Sequence, residues 1–309
     1  MNCWRVAFIL AFTASLLAQT KAQRPRILGV AHIALYTSDL ANARSFYEDF
    51  LGFQEPFTLK RDDGSVRIAF VKVNDTQYVE LFTDSPKQDG QLHHIAVLTD
   101  NAAQMRDYLA EHGIKVPETV PKGRTGNYNF TVQDSDGHTV EIVQYLPGSL
   151  TDKNRGKFVS SARASSRIMH VGFLVRDLDA SMKFYRDLLG FREFWRGSSN
   201  GTQLSWVNMR VPEGDDYVEF MLYTGTPSAQ DRGVKNHLCL EVPDIGKAVQ
   251  DLEHKPARQR YGREIRTQVG KNRKRQANLF DPDGTRIELM EGETFDRQPA
   301  PSSTAPPPQ

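Results

Sequence analysis

Residues 168–191, IMHVGFLVRDLDASMKFYRDLLGF, have a relative 138 positions earlier, VAHIALYTSDLANARSFYEDFLGF at 30–53. The offset maps His32 onto His170, Asp39 onto Asp177, Phe46 and Tyr47 onto Phe184 and Tyr185, and Gly52 onto Gly190. A repeat at fixed offset restricts the chain to architectures built from copies of one unit. Each copy opens with an apolar run of strand character. An N-capping aspartate follows, then a helix with Leu40, Ala43, Phe46, Tyr47, Phe50 and Leu51 on one face, closed by Gly52. Three further strand-like runs, near 54–60, 66–73 and 77–82, are separated by turn signals at Asp62, Asp63 and Gly64 and at Asn74 and Asp75. The unit is β-α-β-β-β.

Two shorter relatives follow the same plan, at 92–145 and 236–291, ending in the matching turns Asp134-Ser-Asp-Gly137 and Asp281-Pro-Asp-Gly284. The chain therefore reads as four βαβββ modules of the α+β class in two pairs, 27–146 and 167–292. A polar linker at 147–166 joins them, and a Pro/Ser-rich tail at 293–309 is expected to be disordered. At 309 residues with 25% charged side chains and a net charge of +1, bulk charge favours neither nucleic acid nor a membrane surface. Arg5, the apolar run Val6 to Ala18 and the small residues before position 22 read as a cleaved signal peptide, 1–22. The run is too short for a retained span of ~20 residues, so a periplasmic or secreted protein is expected. Of the two cysteines, Cys3 falls in that leader, leaving Cys239 as a single thiol; it has His237's strand parity, which would face it into a cup, but it is read as buried and inert.

Each module carries a histidine in its first strand and a glutamate in its last: His32 and Glu80, His94 and Glu141, His170 and Glu219, His237 and Glu288. The separations are 48, 47, 49 and 51 residues. In Tyr217 to Tyr223, Val218, Phe220 and Leu222 share one face, and Tyr217, Glu219, Met221 and Tyr223 the other. His170 likewise lies opposite Met169, Val171, Phe173 and Val175. A carboxylate on an apolar strand is costly unless paired or metal-bound. Four matched pairs therefore point to charge gathered between modules. Two imidazoles and two carboxylates suit six-coordinate Ni, Zn, Co, Mn or Fe with two positions left for water or substrate.

The start His170 to Phe191, with its histidine, Asp177, Phe184, Tyr185 and Leu189-Gly190-Phe191, and the end DPDG-x-x-I-E-L from Asp281 to Leu289 resemble the vicinal oxygen chelate superfamily of glyoxalase I, bleomycin resistance proteins and extradiol dioxygenases. The resemblance covers nearly all the folded chain and implies two eight-stranded, cup-shaped barrels, each around one divalent metal. One cup would hold His32, Glu80, His94 and Glu141. The other would hold His170, Glu219, His237 and Glu288. Because the family exchanges modules between cups, pairing one with four and two with three is also open.

The resemblance further implies the chemistry. Four-ligand members transfer a proton through a metal-stabilised enediolate, which makes Glu80, Glu141, Glu219 and Glu288 candidate bases. Substrate walls would come from Tyr36, Tyr78, Phe82, Tyr217, Met221 and Tyr223. Glyoxalase I relatives carry an arginine four residues after the first histidine and an asparagine four after the first glutamate. Here Tyr36 and Leu174, and Asp84 and Tyr223, stand at those places, so a substrate other than a glutathione adduct is expected. An extradiol dioxygenase is the second reading; it uses two histidines and one glutamate plus an acid–base histidine, for which the second half offers only His254. The third is a metal-free protein that sequesters a ligand. The nine Lys/Arg between 255 and 275 read as a solvated loop or as a rim for an anion. The partner expected is a small molecule, with no nucleic acid, and the protein a monomer or homodimer.

Overall fold

The computed structural model describes residues 23–85 and 90–308. The proposed signal peptide lies outside the described residues. Among them no helix is long and apolar enough to cross a membrane.

The first module is β1 (Ile27–Tyr36), α1 (Leu40–Arg44), β2 (Gln54–Lys60), β3 (Val66–Lys72) and β4 (Tyr78–Phe82). The second is β5 (Leu92–Thr99), α2 (Ala102–Glu111), β6 (Tyr128–Gln133) and β7 (Thr139–Gln144). After α3 (Leu150–Lys153) in the linker comes the third: β8 (Ile168–Val175), α4 (Leu178–Met182), β9 (Arg192–Gly197), β10 (Trp206–Arg210) and β11 (Tyr217–Leu222). The fourth follows α5 (Ala229–Lys235) with β12 (His237–Val242), α6 (Ile245–Glu253), β13 (Thr267–Val269), β14 (Lys274–Phe280) and β15 (Arg286–Thr294). Asp39, Asn101, Asp177 and Asp244 cap the four module helices through their side chains. In modules one and three the helix widens into a π-helical turn, Ser45–Phe50 and Lys183–Leu188.

Modules one and two form one sheet in the order β2-β3-β4-β1-β5-β7-β6, and modules three and four a second in the order β13-β14-β15-β12-β8-β11-β10-β9. The sheets thus pair one with two and three with four. The first has seven strands rather than the eight anticipated. Where module four has β13, module two runs through Pro117, Pro121, Gly123 and Gly126, which remove donors and stiffness from an edge.

The two sheets share one apolar core of helix faces and strand inner faces, from Ile27 and Tyr47 to Phe220 and Leu289. Exchange between halves occurs in this core. Phe50 of module one stacks on Tyr261 of module four, with ring centroids 4.7 Å apart. Tyr47 donates to Asp281 at 3.0 Å, and Tyr185 donates to Asp134 at 3.0 Å. The linker is pinned by the fully buried Lys72, whose ammonium donates to the carbonyls of Asn154 and Lys157 and to Asp75.

The tail departs from its composition. Ser303 donates its N–H to Arg196, the carbonyl of Pro306 accepts from Leu204, and that of Pro301 accepts from the Trp195 indole. Residues 301–306 therefore lie against the β9 edge instead of being disordered. Prolines lack the donor but keep the acceptor, and an exposed edge supplies the rest.

Candidate metal centres

Strand register sets the chemistry of both cups. In the second sheet one rung carries Tyr217, His170, Cys239, Glu288 and Asn278 on five adjacent strands, and the next carries Asn208, Glu219, Gly172 and His237. In the first sheet the matching rungs are Tyr78, His32, Ala96, Glu141 and Thr131, then Phe70, Glu80, Ala34 and His94. Side chains on one rung leave the sheet on the same face. Each cup therefore receives its histidines and glutamates from two neighbouring rungs.

In the first cup the Nε2 atoms of His32 and His94 are 2.8 Å apart. His32 lies 3.5 Å from Glu80 and 3.6 Å from Glu141, while His94 lies 4.0 and 3.0 Å from them. In the second, His170 and His237 are 3.0 Å apart. Glu219 is 3.9 and 3.5 Å from the two imidazoles, and Glu288 is 3.5 and 3.7 Å. All eight residues are buried. A cation about 2.1 Å from each donor separates neighbouring donors by about 3.0 Å and opposite ones by about 4.2 Å in an octahedron, or all by about 3.4 Å in a tetrahedron. Every quoted separation lies near or within that range, and His32, Glu80 and His94 in the first cup, and His170, Glu219 and His237 in the second, bring their donor atoms within 4.8 Å of one another, as do His170, Cys239 and Glu288, so both cups hold groups that could bind a divalent ion.

The histidines are oriented for ligation. His237 Nδ1 is 2.8 Å from the carbonyl of Lys235, which favours a proton there and turns the Nε2 lone pair into the cup. A Cβ at Gly172 would come within 1.8 Å of the His237 ring, so this close approach needs glycine. His94 Nδ1 meets His93 Nδ1 at 2.7 Å. Among the described residues the buried Nδ1 of His170 has no hydrogen-bond partner.

Burial shapes the acidities. It pushes Glu80 up to about 8, aided by the charge of Glu141 and opposed by His94. Burial also acts on Glu141, but hydrogen bonds from His32 and His94 outweigh it and hold that carboxyl well below the usual range. Glu219 reaches about 8 through burial and the nearby Glu288, which burial raises as well. Burial, then the charge of Arg286, lowers His170 and His237 well below the ordinary imidazole range.

The wall residues anticipated from parity divide. Tyr78 and Phe82 line the first cavity, about 130 Å³, with Phe70 and Tyr145. Among the described residues the buried Tyr78 hydroxyl has no hydrogen-bond partner. Tyr36 packs beside Phe82 and His93 instead of lining that cavity. Tyr217 stacks on His170 at 4.5 Å, and the buried Met221 sits across the ladder from Trp206. β11 ends at Leu222, strand alternation lapses there, and Tyr223 lines a separate cleft with Leu92 and Asn236. His254 bonds back to Gln250 on its own helix.

Several residues were not anticipated. Asn129 donates to Glu141 at 2.8 Å, Asn208 steadies ionised Glu219, and Arg286 lines the second cavity with Trp195 and Trp206. Much of the basic stretch is paired: Arg258 with Glu253, Arg260 with Asp49, Arg266 with Glu264 and Arg275 with Glu291.

The sequence model described as Glyoxalase/Bleomycin resistance protein/Dioxygenase superfamily matches residues 29–142 and 167–289. Among curated proteins, the chain is 24% identical over 121 residues to the uncharacterised protein YwbC of Bacillus subtilis, covering 37% of this chain and 96% of that one. It is 32% identical over 101 residues to mitochondrial methylmalonyl-CoA epimerase of Mus musculus, covering 30% of this chain and 54% of the enzyme. Among solved structures, homoprotocatechuate 2,3-dioxygenase from Arthrobacter globiformis superposes with a TM-score of 0.66 at 18% identity, covering 95% of this chain and 88% of that one. An extradiol ring-cleaving dioxygenase from B. fuscum gives 0.67 at 18% identity, covering 93% and 78%. At that identity the likeness is one of fold.

Proposed function

Because the chain belongs to the glyoxalase/bleomycin resistance protein/dioxygenase superfamily, we propose that it is a metal-dependent enzyme moving a proton within a small oxygenated substrate, as a lyase, isomerase or epimerase does. The observation that carries this reading is the second carboxylate in each cup. An iron oxygenase site of two histidines and one carboxylate keeps positions open for oxygen and substrate. Here each cup offers a carboxylate in addition to Glu141 or Glu288: Glu80 and Glu219 lie within 3.5–4.0 Å of the imidazoles. A divalent ion held by His32, Glu80, His94 and Glu141, or by His170, Glu219, His237 and Glu288, supplies a Lewis acid for a substrate oxygen.

The protein's own groups would do the rest. Glu80 or Glu219 would accept and return the proton. Glu141 is tied to Asn129 and both imidazoles, which suits a fixed ligand better than a moving base. The similarity to an epimerase adds support, since inverting a carbon beside a carbonyl is proton removal and return. A leader-like segment at 1–22 favours action outside the cytosol, away from glutathione.

The test is protein loaded in turn with Ni²⁺, Co²⁺, Zn²⁺, Mn²⁺ or Fe²⁺ and incubated in D₂O with 2-hydroxycarbonyl and 2-oxo compounds. Proton exchange is followed by NMR and oxygen uptake with catechols by electrode. Exchange that chelation abolishes is expected. Oxygen consumption with a catechol would replace this reading with the dioxygenase. Ligand binding by protein that takes up no metal would replace it with sequestration.

A further inference from the structure

The two cups carry the same four donors but different neighbours, and the largest difference in charge is at Arg286. This residue precedes Glu288 by two on β15, the first-sheet counterpart being Thr139 on β7. Arg286 lines a cavity of about 300 Å³ that opens onto Glu219 and Glu288. Its Nε is buried with no hydrogen-bond partner, and among the described residues it closes no ion pair within 4 Å. Lys271 lines the same cavity. Trp195 and Trp206, rings stacked with centroids 6.5 Å apart, form an apolar wall.

We propose that the second cup takes an anionic substrate, a 2-hydroxy or 2-oxo acid bearing an apolar group, whose carboxylate is received by Arg286 while the apolar part meets Trp195 and Trp206. The inference rests on the preceding reading of the cup as a metal site. Charge counting supports it. A divalent ion would offset Glu219 and Glu288, which leaves the guanidinium, its Nε buried, as uncompensated positive charge in the cavity, with the exposed Lys271 ammonium at its edge. Charged hydrogen bonds to a planar carboxylate are strongest in such surroundings. The plainer role for Arg286 is counter-ion to the two glutamates. Against it stands the first cup, where the same donor set has Thr139 at this place. The cation on the first cavity's lining, Arg124, is exposed on a loop and donates to the carbonyl of Lys60.

Mandelate and mandelamide differ only in charge at the relevant group, and both carry a phenyl ring. Full-length protein is loaded with Ni²⁺, its metal content measured by elemental analysis, and each compound titrated calorimetrically. Mandelate is expected to bind at least about tenfold more tightly than mandelamide. Arg286→Met is expected to abolish that preference and Arg286→Lys to retain part of it. Equal affinities in the unaltered protein, which need no variant to fold, would overturn the inference and return Arg286 to the counter-ion role. A preference that survives Arg286→Met in a Ni²⁺-loaded variant would overturn it too. Failure to take up Ni²⁺ at all is a separate observation that sinks the metal reading itself, and this inference with it.

Discussion

Gly172→Ala gives the sharpest test of whether His237 binds a metal. The added Cβ would lie 1.8 Å from His237 Cε1, 2.2 Å from Nδ1 and 2.8 Å from Nε2. Ordinary carbon contacts begin near 3.5 Å, so the ring must retreat by about 1.5 Å or the strands must part. Either response breaks the 2.8 Å bond to the Lys235 carbonyl, at a cost of about 1 kcal/mol. Metal–ligand distances tolerate only about 0.2 Å, so such a shift removes a donor from the second set. The second cup should lose at least about a hundredfold in affinity, since disturbing even an outer partner costs about 10–100-fold. The first cup already carries a Cβ at the matching place, Ala34, and should be unaffected. Equilibrium dialysis against Ni²⁺ with elemental analysis should therefore give two ions per unaltered chain and one per variant. Overpacking should also lower the melting temperature by several degrees. Two ions per Gly172→Ala chain at unchanged affinity would refute the assignment of His237.

Other predictions follow from charge and burial. Glu80 and Glu219 are raised from the unfolded carboxylate range to about 8, so in chelator-stripped protein their contribution to stability is full below about pH 4.5 and is lost as pH rises through about 8. The stripped protein should therefore melt lower at pH 8.5 than at pH 6, while added metal, which needs the ionised form, should raise the melting temperature more at the higher pH and release protons at pH 7. Scanning fluorimetry and a weakly buffered indicator measure both, and a metal effect independent of pH would count against direct ligation by these carboxylates. Tyr47→Phe and Tyr185→Phe each remove one donor from a buried aspartate, a loss of about 1–3 kcal/mol by denaturant titration. Tyr47→Phe should cost more, because Asp134 keeps His138 at 3.0 Å whereas Asp281, already raised to about 6 by burial, keeps the backbone N–H groups of Asp283 and Thr285.

The parts of this molecule legible in the sequence are those written within one strand or one repeat. Alternation along Tyr217 to Leu222 put Glu219 opposite the core, and the fixed spacing tied it to His170. Facts that depend on register between strands were not legible. Nothing along the chain says that Cys239 will pair with Glu288 or that Asn208 will face Glu219, because a ladder joins residues far apart in sequence. The same holds for the π-helical turns. The apolar spacing around Phe46, Tyr47 and Phe50 fits an ordinary helix, and the extra residue in the winding answers to packing against module four. Composition misjudged the tail for a related reason. It counts prolines, but order came from a neighbouring strand edge that composition does not contain.

The cross-braces between halves explain why two cups of this kind share a chain. Asp134 and Asp281 each stand seven residues before a cup glutamate, Glu141 and Glu288, in the turn that launches the strand carrying it. Each aspartate is held by a tyrosine from the other half, Tyr185 for the first cup and Tyr47 for the second. A tyrosine that slips thus releases the turn before a glutamate of the opposite cup, not of its own. Phe46, Phe50 and Tyr261 lie in the same shared core, so separating the halves would expose an aromatic surface as well as two buried carboxylates. The apolar core runs through both halves as one cluster, and the turn before one glutamate of each cup is braced from the other half. Sequence change can therefore diversify the cup walls, as it has at Phe70 against Asn208, Ala96 against Cys239 and Thr139 against Arg286, while the braces keep both donor sets in register.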